Sequence, residues 1–506
     1  MTTQAGLQND SSRHQIVRSG DAQGSAGLLA LVIRPDRLRR GLLFIAALLH
    51  TGLVIAAWVT PPAPLLGGWL WLDAVGRVFL GITSVLFFTV AVYGLSYLQH
   101  EQQTTHADFE EGFLFVDAPE ARFTGCLLLF LAAMTFVTVS QHFGILWVAI
   151  EATTLASAPL IFFHRHHRSL EATWKYLLIC SVGIALALLG TFFLAIAAAQ
   201  ADGSVLPLVV PTLVQEAARL HDTWLAAAFL LLLIGYGTKM GLAPLHTWLP
   251  DAHSEAPSMV SALLSGALLN CAFLGLFRVQ QVCAAAGAAA FGQELFVGFG
   301  LLSMLVAAVF LQGQTDYKRL LAYSSVEHMG ILAVGVGLGG SGTFGALLHA
   351  VNHSLTKAML FLVAGNILTV YQSKSTGDVR GILRVIPISG VLWVAGFLAI
   401  TGSPPFGPFL SEFTILKAAL DQGRNGVALI YLLLLAAIFV GMASTVLGMA
   451  QGTPGAGRAR SSHAESELTI VSPVVLATLI LLLGLYVPPP LRETLEEAAR
   501  MLRSSP

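Results

Sequence analysis

Apolar runs long enough to cross about 30 Å of hydrocarbon recur along this chain from residue 41 to residue 487. About 13 spans are expected, including 41–60, 77–98, 123–139, 142–163, 224–242, 257–279, 320–338, 345–369 and 470–487, with 386–420 read as one interrupted run. Lipid offers no water to satisfy backbone N–H and C=O groups, so such a chain must close its hydrogen bonds within helices. The expected fold class is therefore all-α, a polytopic transmembrane bundle. Composition agrees: 11% of the residues are charged, against roughly 25% in an ordinary soluble domain. A net charge of -1 gives no reason to expect a nucleic-acid partner.

Within that apolar background, a few ionisable residues stand where they are costly. Lys239 lies near the end of the run Trp224 to Leu242, in GTKMGLAPLHTWLPDAHSEAP. A charge at a helix centre costs roughly 2.5 to 3.5 kcal/mol, so such residues tend to face a protein interior or a water path and carry function. Pro244 then removes a backbone donor, with His246 inside the break, and a break at membrane depth is tolerated only against protein or a polar cavity. Glu151 falls mid-run in HFGILWVAIEATTLASAPLIFF, too deep to reach either interface easily. Burial disfavours the charged form of both groups and proximity favours it, so a Glu151 and Lys239 pair would respond to proton movement.

His349, His353 and Lys357 recur at i, i+4 and i+8, one helix face spanning about 12 Å. They form a stripe of proton-carrying groups, which His328 in SSVEHMGIL extends. Glu412 sits just past a second break, at Pro404 and Pro405, with Lys417 as a neighbour. No metal is expected, because the stripe offers two histidines and no nearby cysteine or paired carboxylate. Cys126, Cys180, Cys271 and Cys283 are too scattered for a zinc or iron-sulfur site and read as small core residues. No phosphate loop or dinucleotide motif is present, so no cofactor is expected in this chain. The run His164, Arg165, His166, His167, Arg168 reads as a headgroup-facing loop.

Five regions follow. Residues 1–40 form a cytoplasmic leader, polar and disordered to about Gly27, closed by the basic cluster Arg34, Arg37, Arg39 and Arg40. Residues 41–122 carry two helices. Residues 123–279 and 296–449 each hold five spans whose fourth is broken, an odd number that makes the units inverted, as in transporters with a midplane ion site. Residues 450–506 hold a loop, a last helix and a tail. Arg165, Arg168, Lys318, Arg319, Lys374, Arg380, Arg384, Arg458 and Arg460 all fall in loops of one side, which places the N-terminus in the cytoplasm of a cell with this protein in its inner (plasma) membrane.

These residues amount to a resemblance. GTKMGLAPLHTWLPDAHSEAPSMVSALLSG, DYKRLLAYSSVEHMGIL and HSLTKAMLFLVAGN resemble the antiporter-like proton-translocating subunits of respiratory complex I, multisubunit sodium/proton antiporters and membrane-bound hydrogenases. IEATTLASAPL, SLEATWKYLLICSVGIALALLGTFF and PPFGPFLSEF are most similar to the component F proteins of hydrogenase-4-type complexes. The resemblance implies fourteen helices, sister membrane-arm subunits and a cytoplasmic nickel-iron-hydrogenase-like, iron-sulfur arm. It also implies Glu151 and Lys239 as the first half-channel pair, Lys357 as the central lysine and Glu412 as the residue of the second half-channel. Two departures stand out: the family's first helix is replaced by the polar leader, and Asn270 stands where complex I subunits usually carry a lysine. Three readings remain open: a proton-translocating subunit of a redox complex, an antiporter moving protons or sodium without electron transfer, and a membrane scaffold.

Overall fold

The computed structural model describes residues 15–100, 106–107, 114–200, 203–453 and 465–503. Expectations for residues 1–14 and for Arg458 and Arg460 lie outside the described residues. Twelve helices have the length and composition to cross a membrane among the described residues. They coincide with twelve of the thirteen expected runs. The remaining run, 386–420, is split by its prolines into α13 (Pro387–Ile400) and α14 (Gly407–Asp421).

In chain order the other elements are α1 (Gln15–Val32), α2 (Asp36–Val59), α3 (Ala74–His100), α4 (Glu120–Val139), α5 (Phe143–Ile161) and α6 (His167–Ala197). Next come α7 (Asp222–Met240), the short α8 (Trp248–Glu255), α9 (Ser258–Ala285), α10 (Ala289–Phe310), α11 (Tyr317–Leu338) and α12 (Ser341–Tyr371). The chain closes with α15 (Asn425–Ala450), α16 (Glu467–Leu485) and the amphipathic α17 (Pro489–Arg500). A two-residue ladder between His106–Ala107 and Leu114–Phe115 is the only named sheet among the described residues.

The helix α1 corrects the expectation of a disordered leader and an absent first helix. It runs antiparallel to α4: Leu31 and Gly27 lie against Gly125, and farther back Thr135 Oγ1 donates to Gln23 Oε1 at 3.4 Å. Polar residues are tolerated there because Gln23 faces protein and not lipid. The helix is closed from the next one. Arg39 donates to the carbonyls of Ala30 (3.3 Å), Ile33 (2.7 Å) and Arg34 (3.3 Å), which are the orphan acceptors of a helix C-terminus. Arg40 grips Glu120 through two bonds of 2.9 and 2.7 Å and also donates to Leu98 O. Two cations of the basic cluster therefore join helix ends, while Arg34 and Arg37 remain exposed.

The core lies where α9, α11 and α12 cross. The spanning windows of α9 and α11 are wholly buried, whereas those of α2, α15 and α16 bury about a third or less. Small residues let helix backbones approach closely in lipid. A Cβ on Gly300 would stand 2.7 Å from Gly330 O, and one on Gly235 would stand 2.6 Å from Gly183 O. Near the opposite end of the bundle from the basic loops, Arg278 of α9 holds Asp73, with Nη2 to Oδ1 at 2.7 Å. Both are buried, so the pair fixes the start of α3 against α9.

Candidate functional site

Lys239 is fully buried in the last turn of α7. Its Nζ donates to Ile150 O at 3.0 Å and, more closely, to Thr154 Oγ1. The same hydroxyl donates to Glu151 Oε2 at 3.0 Å. A hydroxyl has one proton to give and two lone pairs, so Thr154 links carboxylate and lysine in one chain, and no direct ion pair forms between them. Glu151 is half-buried, not sealed inside as its mid-run position suggests. Depth along a helix says nothing about which side faces the bundle, and α5 lies at its lateral surface.

Past α7 the chain breaks at Gly241, which adopts a left-handed φ of 88°, and Ala243 N donates to Ser303 Oγ at 2.9 Å. The break's backbone is thus satisfied from α10, as membrane depth requires. His246 is buried beside Tyr323, with ring centroids 6.3 Å apart. His253 in α8 is fully buried, and neither ring nitrogen has a hydrogen-bond partner. Sequence reasoning missed it, although it stands in the same stretch as Lys239.

A π-turn over Leu264–Leu268 interrupts α9 just before Asn270, a distortion frequent at functional positions. Asn270 Nδ2 donates to Gly266 O and to Ser354 Oγ, both at 2.8 Å. Ser265 and Ser325 hydroxyls meet at 2.8 Å. The place expected to lack a charge is therefore a polar crossing of α9, α11 and α12.

The histidine stripe is assembled from two helices and not one. His349 and His353 ring centroids are 6.5 Å apart, and His328 of α11 inserts between them. His328 Nδ1 and His349 Nε2 are 2.8 Å apart, and the His328 ring centroid is 5.1 Å from that of His353. His349 Nδ1 continues to Ser411 Oγ at 3.0 Å, beside Glu412. Lys357 Nζ donates to Leu321 O at 2.6 Å and, more closely, to Ser324 Oγ.

Glu412 is 6% exposed, and its Oε1 has no partner. Gly402 forms the cradle: its φ is +65°, and a Cβ there would collide with Glu412 Oε2. Gly402→Ala is expected to push the carboxylate aside, strain the backbone and destabilise the bundle by about 1–3 kcal/mol. A melting curve of the purified chain checks this, and an unchanged midpoint would show that the cradle is loose. Lys417 corrects an expectation: it is exposed and pairs with Asp421 at 2.5 Å, away from Glu412. Five residues along the helix turn it about 140° from Glu412, to the outer face.

Donor atoms of His328, His349 and Glu412 lie within 4.8 Å of one another, close enough for an ion. They are not assigned as metal ligands, because the two imidazoles already satisfy each other. All four cysteines are free thiols; Cys180, Cys271 and Cys283 are buried, as expected of core residues, whereas Cys126 is half-buried.

On the side of the basic loops, a cavity of about 240 Å³ opens among Tyr93, His166, Glu255, Lys318, Asn366 and Lys374. Lys374 donates to Glu255 Oε1 at 2.8 Å, and His166 Nε2 lies 3.6 Å from Glu255 Oε2. Burial opposes ionisation of Glu255, but Lys374, Arg168 and His166 outweigh it and hold the carboxyl below its ordinary range. His164 is half-buried against Asp117 at 2.8 Å. The loop from His164 to Arg168 is therefore partly built into the protein instead of facing headgroups alone.

Residues 140–440 match the model of the family described as NADH:quinone oxidoreductase/Mrp antiporter, transmembrane. A hydrogenase-4 component F homolog from Methylacidiphilum infernorum is 36% identical over 443 residues, covering 86% of this chain and 89% of that protein. Hydrogenase-4 component B of Escherichia coli is 28% identical over 451 residues, covering 86% of this chain and 64% of its own length. Among solved structures, a chain of the membrane-bound sulfane sulfur reductase, an archaeal respiratory membrane complex, superposes with a TM-score of 0.82 at 21% identity, covering 98% of this chain and 97% of that one. At that identity the last likeness shows the fold alone.

Proposed function

Since the chain belongs to the NADH:quinone oxidoreductase/Mrp antiporter transmembrane family, we propose that it is the proton-translocating, non-redox membrane subunit of a hydrogenase-4-type, complex I-like assembly. One observation carries this reading: hydrogen-bonded sets of ionisable groups sit near both helix breaks, and we read them as one path. Glu151, Thr154 and Lys239 form its first part, His246 and His253 line the break, and Lys357, His353, His328, His349 and Glu412 form the second. A scaffold has no use for buried charges that each cost several kcal/mol in lipid. Residues 123–279 and 296–449 serve as the two half-channels. The cavity at Glu255 and Lys374 gives protons a polar entry from the side of the basic loops, close to His253.

In this reading the half-buried Glu151 faces a sister membrane-arm subunit, and electrons pass through a cytoplasmic nickel-iron-hydrogenase-like, iron-sulfur arm in partner chains. The chain resides in the inner membrane with its basic loops in the cytoplasm. In this reading α1, which runs antiparallel to α4, starts on the outer side. The decisive experiment is the assembled complex in vesicles. Electron donor should drive proton movement without sodium; movement that needs sodium and no electron donor would instead favour the antiporter reading, which the matched family also contains.

The topology has its own test. Three membrane crossings separate Arg380 from Arg500, counting α13 with α14 as one. Reporter fusions after these two residues are expected on opposite sides, and the same side for both would reject the arrangement.

A further inference from the structure

We propose that Glu327 is a proton-binding site of the central relay and forms, with Lys357, a second lysine and carboxylate unit in this chain; the proposal rests on the relay reading above. Glu327 is 1% exposed on α11, and its Oε2 has no hydrogen-bond partner.

The first unit supplies the comparison. Lys239 is held by one carbonyl and one hydroxyl of α5, those of Ile150 and Thr154, and Glu151 stands three residues before that threonine. Lys357 is held the same way by α11, through the carbonyl of Leu321 and the hydroxyl of Ser324, and Glu327 stands three residues after that serine. Residues three apart share a helix face. Each lysine therefore rests on a helix turn that presents a carboxylate beside it.

The surroundings favour a proton carrier over a packing residue. His328 Nε2 is buried without a partner and lies 4.0 Å from Glu327 Oε2. That separation is too long for a direct bond and suits a single bridging water. A carboxyl kept for structure would have its oxygens satisfied, because an unpaired buried carboxylate is costly. The transfer balances: the Lys357 ammonium, which has no direct bond to Glu327, gives a proton through water to the Glu327 carboxylate, leaving a neutral amine and a carboxylic acid. The acid then passes that proton through water to His328 Nε2 and returns to carboxylate.

The test uses the assembled complex in vesicles with Glu327→Gln, Glu327→Asp and, as a reference, Lys239→Ala. Glu327→Gln, which keeps shape and hydrogen bonding but not the proton, should slow translocation about tenfold or more. Glu327→Asp should restore part of it. Infrared difference spectra should show a deuterium-sensitive carboxyl band that the Gln variant loses and the Asp variant shifts. Wild-type translocation in Glu327→Gln alongside a dead Lys239→Ala would overturn this proposal alone. Normal translocation in both would overturn the relay reading itself. Should the Gln variant fail to assemble, the Asp variant decides: a shifted band with partial translocation supports the site, and an unchanged spectrum overturns it.

Discussion

Replacing Lys239 with alanine is expected to reduce proton translocation to background while the complex still assembles. The lysine contributes a proton and two hydrogen bonds, to Ile150 O and Thr154 Oγ1. Leaving those two acceptors unpaired costs about 1–3 kcal/mol, which a bundle of this size tolerates. The functional loss is larger because the cation bonded to Thr154, and through it to Glu151, has gone. With that cation gone, the hydrogen-bonded chain from Glu151 ends at Thr154, and the first half-channel no longer cycles. Glu151→Ala should give the same phenotype from the other end. Vesicles carrying the assembled complex provide the measurement, with electron transfer recorded in parallel. Normal translocation in either variant would falsify the Glu151, Thr154 and Lys239 chain as the first part of the path.

The second large effect is expected at His353. Its ring lies beside His328 and one helical turn before Lys357, and neither nitrogen is bonded within the protein. His353→Ala removes the imidazole between Lys357 and the His328 and His349 pair. Transfer over about 12 Å, from Lys357 to His349, would then rest on Glu327 and water, without the imidazole that stands between. The loss of a positioned acid-base group typically costs about a hundredfold or more in rate. His353→Gln keeps hydrogen bonding and volume but cannot be charged, so it should preserve assembly and lower the rate less steeply. Proton uptake per turnover, followed across the histidine titration range, separates the cases. Wild-type rates in both variants would mean that the ring only packs.

Both predictions depend on facts that the sequence carries to different extents. The spans were legible because apolar runs of bilayer length admit one backbone solution, and the breaks at Pro244 and at Pro404 and Pro405 were legible because proline cannot continue a helix. Lys239, Lys357 and Glu412 announced themselves by cost alone. The first helix did not. α1 survives with Gln23 inside because Thr135 meets it and because Arg39, from the following helix, caps its end; neither is visible within residues 15–32.

Lateral position also stayed hidden. Helical spacing turns Lys417 about 140° away from Glu412, but only packing shows what each face meets, Asp421 at the surface for one and the cradle of Gly402 for the other. Above all, the sequence determined which residues can carry protons, since that depends on side-chain chemistry and helical spacing. The order in which they meet was decided by tertiary structure. His349 and His353 share a face of one helix but hand over through His328 of another, and Lys239 reaches Glu151 only through the hydroxyl of Thr154. Hydrogen bonds act over about 3 Å, a scale fixed by how helices cross and not by the order of residues along any one of them.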